Sequence, residues 1–369
     1  MSDTNELLHL VALSFVPGIG PAKAKNLLAF FGSAEAIFNE KKKALLRVPE
    51  IGPVSATAIS SGDYISLADE ELRFSYQKGL KVLPIYSEAY PSRLRQCSDG
   101  PIVLFYQGDT DLNLRPAVAM VGTRSATSYG KKCVDLLIDG LAPLDPLIVS
   151  GLAYGIDIYS HKKSLENKLS TIACLAHGLD RIYPPTHAEI ARRMCEEGGG
   201  LLTEFPQGTR PDRELFPSRN RIIAGMTDCT VVVETDRKGG SIITAHLASD
   251  YGREVCAFPG RIDDRHSWGC NELIKKNVAA LIESADDLIQ LMQWTPRSRD
   301  KKQPSLFEHL DETELKLYRH LRSQHRLSLD AISHWLGLNL SLSNALLLEM
   351  EFKGAVRSLP GKLYEACGI

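Results

Sequence analysis

No two of the eight cysteines, Cys97, Cys133, Cys174, Cys195, Cys229, Cys256, Cys270 and Cys367, form the close pair that a zinc ribbon or a dithiol redox motif requires. Several lie in apolar runs, as Cys174 does in Thr-Ile-Ala-Cys-Leu-Ala, and read as small core hydrophobes in a reducing cytoplasm. Long apolar runs are missing too. The first, Leu7 to Val16, follows Asp3 and Glu6 rather than a basic segment, lacks a small-residue cleavage pattern after it, and is too short to span a bilayer. It reads as a core helix, and no membrane association is expected. Neither sign of charge dominates: the formal net charge is -2, which excludes a uniformly basic nucleic-acid coat and leaves room for one concentrated basic pocket. Gly-x-x-x-x-Gly-Lys-Ser/Thr is absent, so a P-loop ATPase is excluded as a simple reading. His161, His177, His187 and His246 stand singly without ligand spacing, so no metal is expected.

What is present suits a folded chain of two or three domains: 369 residues, 44% hydrophobic and 24% charged. Near the N-terminus Val16-Pro17-Gly18-Ile19-Gly20-Pro21 returns as Val48-Pro49-Glu50-Ile51-Gly52-Pro53, each copy joining two short apolar helices. This resembles a tandem helix-hairpin-helix (SAM-like) domain, expected over residues 1–66. Its helix N-termini are suited either to phosphate contact or to packing the small domain. From Lys81 onward nine short apolar runs, starting with Val82–Ile85 and ending with Ala279–Ile282, alternate with helix-length amphipathic stretches. That pattern predicts a doubly wound, mostly parallel α/β sheet over residues 67–295, with ligands beyond the carboxyl ends of its strands. The polar, proline-flanked residues 296–309 read as a linker. Three helices, Glu312–Ser323, Ser328–Leu336 and Ser341–Lys353, and an extended Ala355–Tyr364 turning at Pro360-Gly361 predict a winged helix over 310–369. Its presumed recognition helix is rich in leucine, with Glu349, Glu351 and a single lysine, which suits a protein contact or packing better than a phosphate backbone.

Four loops at predicted strand ends combine glycine, small hydroxyl residues and arginine. Val121-Gly122-Thr123-Arg124-Ser125 leaves a strand for a helix beginning near Tyr129, offering backbone approach, a helix N-terminus and the donor fork of Arg124 to a phosphate. Ser150-Gly151-Leu152-Ala153-Tyr154-Gly155-Ile156-Asp157 is a second such turn, without the Gly-x-Gly-x-x-Gly spacing of a dinucleotide fingerprint. In the third, Phe205 to Arg221, arginines gather around Phe216: an aromatic gives a base something to stack on, and arginines neutralise a backbone without demanding a sequence. Alternatively Phe216 packs into the core at the helix turn that Pro217 starts. Asp236-Arg237-Lys238-Gly239-Gly240-Ser241 is the fourth, open to a reading as turn chemistry with solvated charge.

Val-Gly-Thr-Arg at 121–124, Ser-Gly-Leu-Ala-x-Gly-Ile-Asp at 150–157, Phe-Pro-Ser-Arg-Asn-Arg-Ile-Ile at 216–223, Gly-Ser-Ile-Ile-Thr-Ala at 240–245 and Phe-Pro-Gly at 258–260 resemble, in order, the DprA/Smf (DNA-processing) family. The departures are Thr123 for a usual serine, Ser160 before His161 for alanine, Leu169 for a glycine before Thr171, and Gly239 for a serine. The resemblance implies a Rossmann-like core that binds single-stranded DNA without hydrolysis or cofactor, dimerises, and loads the RecA recombinase during natural transformation. It implies phosphate contacts at Arg124, Arg219 and Arg221, with Asn220 beside them and Lys238 as a weaker contact. Gly122, Ser150, Gly151, Gly240 and Ser241 would supply backbone or hydroxyl donors, and Phe216 or Phe205 the stacking ring. Two other classes compete. A nucleotide phosphoribohydrolase on a similar fold would use Glu204 and Glu234 as a carboxylate pair, although Lys238 to Thr244 lacks the proline and downstream acid of that motif. An adaptor working through the winged helix would have no affinity for DNA.

Overall fold

The computed structural model describes residues 2–113, 116–295, 310–324, 326–353 and 355–366. The chain divides into two compact units, Met1–Thr295 and Pro296–Ile369. The expected linker at 296–309 and Cys367 lie outside the described residues.

Nine strands build the first unit's sheet: β1 Lys81–Pro84, β2 Val103–Gly108, β3 Ala117–Val121, β4 Leu147–Ser150, β5 Thr171–Cys174, β6 Gly200–Thr203, β7 Cys229–Val232, β8 Glu254–Ala257 and β9 Ala280–Leu281. Their order is β1-β2-β6-β5-β4-β3-β7-β8-β9. All neighbours from β6 to β9 run parallel, and β1 and β2 close one edge antiparallel. The strands read as unbroken apolar runs because both faces are covered: Ala117, Ala119 and Val121 face one buried cluster and Val118 and Met120 another. From β3 the chain winds through β4 and β5 to β6 on one side and returns for β7, β8 and β9 on the other. The chain therefore leaves β3 and β7 for opposite faces of the sheet, and the carboxyl edge at this switch of direction is the place where doubly wound sheets hold ligands.

The N-terminal helices are Ser2–Phe15, Pro21–Phe31, Ala34–Asn39, Lys42–Leu45, Pro53–Ser61 and Tyr64–Gln77. The run Leu7–Val16 is a core helix as expected, with Leu10 to Leu13 fully buried. The two hairpins share one geometry. Gly18 (φ +77°) and its counterpart Glu50 (φ +65°) are both left-handed, and Gly20 and Gly52 precede helices that start with proline. Residue 66, where the sequence places the end of this domain, falls inside the helix Tyr64–Gln77, and the helical core continues through Ile102, Val103 and Phe105 at the sheet edge. No described helix is long and apolar enough to cross a membrane.

In the second unit the helices Glu312–Gln324, Leu329–Leu336 and Leu340–Phe352 pack with β10 Leu327–Ser328, β11 Val356–Leu359 and β12 Leu363–Ala366, ordered β10-β12-β11. This is the expected winged helix, centred on Leu317, Tyr318, Leu321, Ile332, Leu347 and Met350. Its helix Leu340–Phe352 leaves Leu340, Leu342 and Leu348 exposed.

Candidate nucleic-acid interface

Backbone and side-chain hydrogen bonds stitch the carboxyl-edge loops together. Beginning where the chain changes direction, the N–H of Thr123 after β3 donates to the carbonyl of Glu234 after β7 at 2.7 Å. The Glu234 carboxylate, almost fully buried, accepts from the Thr127 N–H at 3.0 Å and from the Thr127 hydroxyl. The Thr127 hydroxyl in turn accepts from the Gly130 N–H at 3.2 Å and caps the helix Ser128–Leu141, so Glu234 holds that cap in place, and a Cβ on Gly130 would meet its carboxylate at 2.1 Å. This helix N-terminus is already satisfied from within the protein. The Ile156 N–H then donates to the Thr123 carbonyl at 3.1 Å, joining the loop after β4 to the loop after β3.

Arg219 joins the loops after β4, β5 and β6. It projects from the helix Leu215–Gly225, is 4% exposed, and donates through Nη1 to the carbonyl of Gly151 at 2.6 Å and to that of Cys174. Its Nε donates to Asn220 Oδ1 at 3.2 Å. Gly151 is needed here because a Cβ would lie 2.6 Å from the guanidinium. Likewise a Cβ on Gly122 would meet Ile156 at 2.5 Å. Both glycines serve close packing, the Gly151 N–H donates to the Asp157 carboxylate, and the Ser150 hydroxyl, expected as a donor to the ligand, donates to the Met120 carbonyl at 2.6 Å. Asp157, buried near Arg219, has its carboxyl pushed up by burial while the Arg219 charge opposes the shift.

The Phe216 ring is half-buried between two cations: the Arg124 guanidinium lies 5.3 Å and that of Arg219 5.8 Å from its centroid. It is therefore neither a core residue nor a free one. Arg124 is exposed and has no carboxylate partner among the described residues, and the same holds for Lys238. At the fourth loop, the helix Gly240–Asp250 opens with Gly240 facing free space and with the Ser241 hydroxyl buried and unpartnered. A helix N-terminus with such an orphaned donor suits an anion. Gly239, where the family usually has serine, fits because a Cβ there would sit 2.1 Å from the Thr235 hydroxyl.

Arg221 does not join this pocket, contrary to its expected phosphate role. Two residues apart on a helix means about 200° apart around its axis, so Arg221 points away from Arg219. Its guanidinium bonds the Glu204 carboxylate and the Asp99 carbonyl. Nor do Glu204 and Glu234 form a carboxylate pair: they follow β6 and β7, four strand spacings or roughly 19 Å apart.

Three histidines that look isolated in sequence gather around Arg219. His161 Nδ1 meets the Thr171 hydroxyl at 2.7 Å, His187 Nδ1 the Leu152 carbonyl at 2.8 Å, and His177 Nδ1 the Gly178 carbonyl at 2.9 Å. Burial, then the charges of His187 and Arg219, push the His161 pKa down to about 3. An unfolded chain binds this proton near pH 6.5 and the folded one does not, so stability is lost as pH falls from about 6.5 towards 3. Urea unfolding of wild type and His161→Gln across this range should show the wild type losing up to about 1.4 kcal/mol per pH unit relative to the variant. A pH-independent difference would show that His161 is charged when folded.

Taken together, the doubly wound sheet and its stitched carboxyl-edge loops define a Rossmann-like protein that presents a cation-flanked aromatic and an open helix N-terminus at that edge. Comparison with known proteins supplies the family. The family of DNA recombination-mediator protein A matches residues 81–293, a SAM-like helix-hairpin-helix tandem matches 10–69, and the DprA winged helix domain matches 301–362. The chain belongs to the DprA/Smf family. It is 33% identical to Protein Smf of Escherichia coli over 380 residues, covering 100% of this chain and 98% of that protein. It is 40% identical to DNA processing protein DprA of Bacillus subtilis over 215 residues, 58% of this chain and 72% of that one. The crystal structure of DNA processing protein A from Streptococcus pneumoniae aligns with a TM-score of 0.66 at 32% identity, over 79% of this chain and 99% of that one. The DNA processing protein A of Helicobacter pylori, whose structure concerns its single-stranded DNA binding mode, aligns with a TM-score of 0.52 at 30% identity, over 58% of this chain and 95% of that one.

Proposed function

We propose that the carboxyl edge of the sheet binds single-stranded DNA, and that the protein is a non-enzymatic cytoplasmic mediator. In this reading it works as a homodimer through its Rossmann-like domain and loads the RecA recombinase during DNA uptake, natural transformation and homologous recombination. The observation that carries the DNA reading is the Arg124–Phe216–Arg219 stack. A half-exposed ring beside the exposed guanidinium of Arg124 offers an unpaired base a surface to stack on and its phosphate a cation, which a duplex with stacked bases cannot use. The relationship to the Helicobacter pylori protein supports the same ligand. Arg124, Lys238, Gly240 and Ser241 would meet phosphates, Phe216 a base, and Arg219 with Asn220 would hold the platform in place.

Fluorescence anisotropy with a labelled oligonucleotide, single-stranded and annealed, tests this. The single strand should bind more tightly, and Phe216→Ala should weaken it about 5- to 150-fold, the range of one lost base stack of about 1–3 kcal/mol. Equal affinity for both forms, or an unaffected variant, would contradict the reading.

A further inference from the structure

From the loops after β7 and β8 we infer a second base-stacking platform, the Arg237–Trp268 pair; the inference rests on single-stranded DNA being the ligand. The Arg237 guanidinium lies 5.1 Å from the Trp268 ring centroid. Arg237 is exposed and Trp268 half-buried, so the outer face of the guanidinium is open to a base in a ring–guanidinium–base stack.

Trp268 is rigidly mounted. The Thr235 N–H donates to the His266 carbonyl at 2.7 Å, and the Gly269 N–H returns to the Thr235 carbonyl at 2.8 Å. Those two bonds clamp the loop after β8 onto the loop after β7. Gly269 permits the contact, since a Cβ there would sit 2.6 Å from the Thr235 side chain. The indole N–H is satisfied by the Ile262 carbonyl at 2.9 Å, leaving the ring face as what the residue offers.

Charge points the same way. The carboxylates around the pair are taken: Asp236 by Arg265 at 2.5 Å, Asp263 by Arg261 at 2.8 Å and Glu272 by Lys276 at 3.0 Å. Arg237 and the adjacent Lys238 are left without an ion-pair partner among the described residues. Between this platform and Phe216 lies the open N-terminus of the helix Gly240–Asp250, with its orphaned Ser241 hydroxyl. A phosphate there would have a ring on either side. Since β8 lies three strand spacings from β4, roughly 14 Å, only an oligonucleotide long enough to cross that distance reaches both rings.

The chain has three tryptophans, so Trp294→Phe with Trp335→Phe leaves Trp268 as the sole reporter. This protein is titrated with oligothymidylates of increasing length and with an abasic strand carrying the same phosphates, while binding is followed separately by anisotropy. Trp268 emission should be quenched by long oligothymidylate, and neither by the shortest bound length nor by the abasic strand. Trp268→Ala should weaken the long ligand about fivefold or more, and Trp268→Phe should restore most of that loss. Binding that leaves Trp268 emission unchanged and survives Trp268→Ala overturns the second platform alone. No binding of any single strand by the wild type overturns the functional reading together with it.

Discussion

Arg221→Ala is expected to cost about 3–5 kcal/mol of folding stability and to leave the intrinsic affinity of the folded fraction for single-stranded DNA unchanged. The reason is the partner it abandons. Glu204 is largely enclosed, with its side chain 15% exposed and that of Arg221 11%. Its Oε1 has no hydrogen-bond partner among the described residues, so Arg221 is the group that compensates the carboxylate. Burial, with a smaller contribution from the Asp99 charge, raises the Glu204 pKa, and Arg221 opposes this. Removing one member of a buried pair strands the other, whereas replacing both by apolar side chains of similar volume does not. Urea denaturation should therefore show a large loss for Arg221→Ala and substantial recovery for Arg221→Met combined with Glu204→Leu. A fully stable Arg221→Ala that no longer binds DNA would place this guanidinium in the DNA site after all.

The contrast between Arg219 and Arg221 shows where the sequence was legible and where it was not. All nine strands are visible as short apolar runs because a sheet covered on both faces leaves no polar positions to interrupt them. The turns after β3, β4, β6 and β7 are visible as well, and Gly122, Gly151 and Gly239 stand where a Cβ would collide with a neighbouring group. The direction of a side chain is a different matter. Arg219, Asn220 and Arg221 look like one basic cluster in the sequence. Once the helix begins at Leu215, its 100° per residue sends the two arginines to opposite sides. That phase is readable from the sequence as well, since a helix starting at Pro217 already contains both arginines.

Other features depend on contacts between residues far apart in the chain. Nothing local marks Glu234 as the partner of the helix cap Thr127, more than a hundred residues upstream. The gathering of His161, His177 and His187 around Arg219 comes from the adjacency of β4, β5 and β6, which the spacing of histidines does not encode. Nothing local pairs Trp268 with Arg237, which comes from the loop after β7. Residue 66, expected as the edge of the helical domain, falls inside a helix for a related reason. Tyr64–Gln77 supplies the closing helix, and its amphipathic pattern runs on through the point where the composition begins to change.

Arg124→Ala combined with Lys238→Ala carries the other large effect. Both side chains are exposed, neither has a carboxylate partner among the described residues, and neither holds a loop in place, so the fold should be untouched. Losing two charged contacts should lower affinity about ten- to a hundredfold at low salt. Because each phosphate neutralised on a single strand contributes about 0.7 to the salt slope, the slope of log affinity against log salt should become shallower by about 1.4. The salt titration of single-stranded DNA binding, run on the wild type and on this double variant with unchanged thermal unfolding as the control, tests the carboxyl-edge site most directly. Weaker binding with the shallower slope is the predicted result; a variant with the affinity and slope of the wild type would contradict the account and move the DNA elsewhere on the protein.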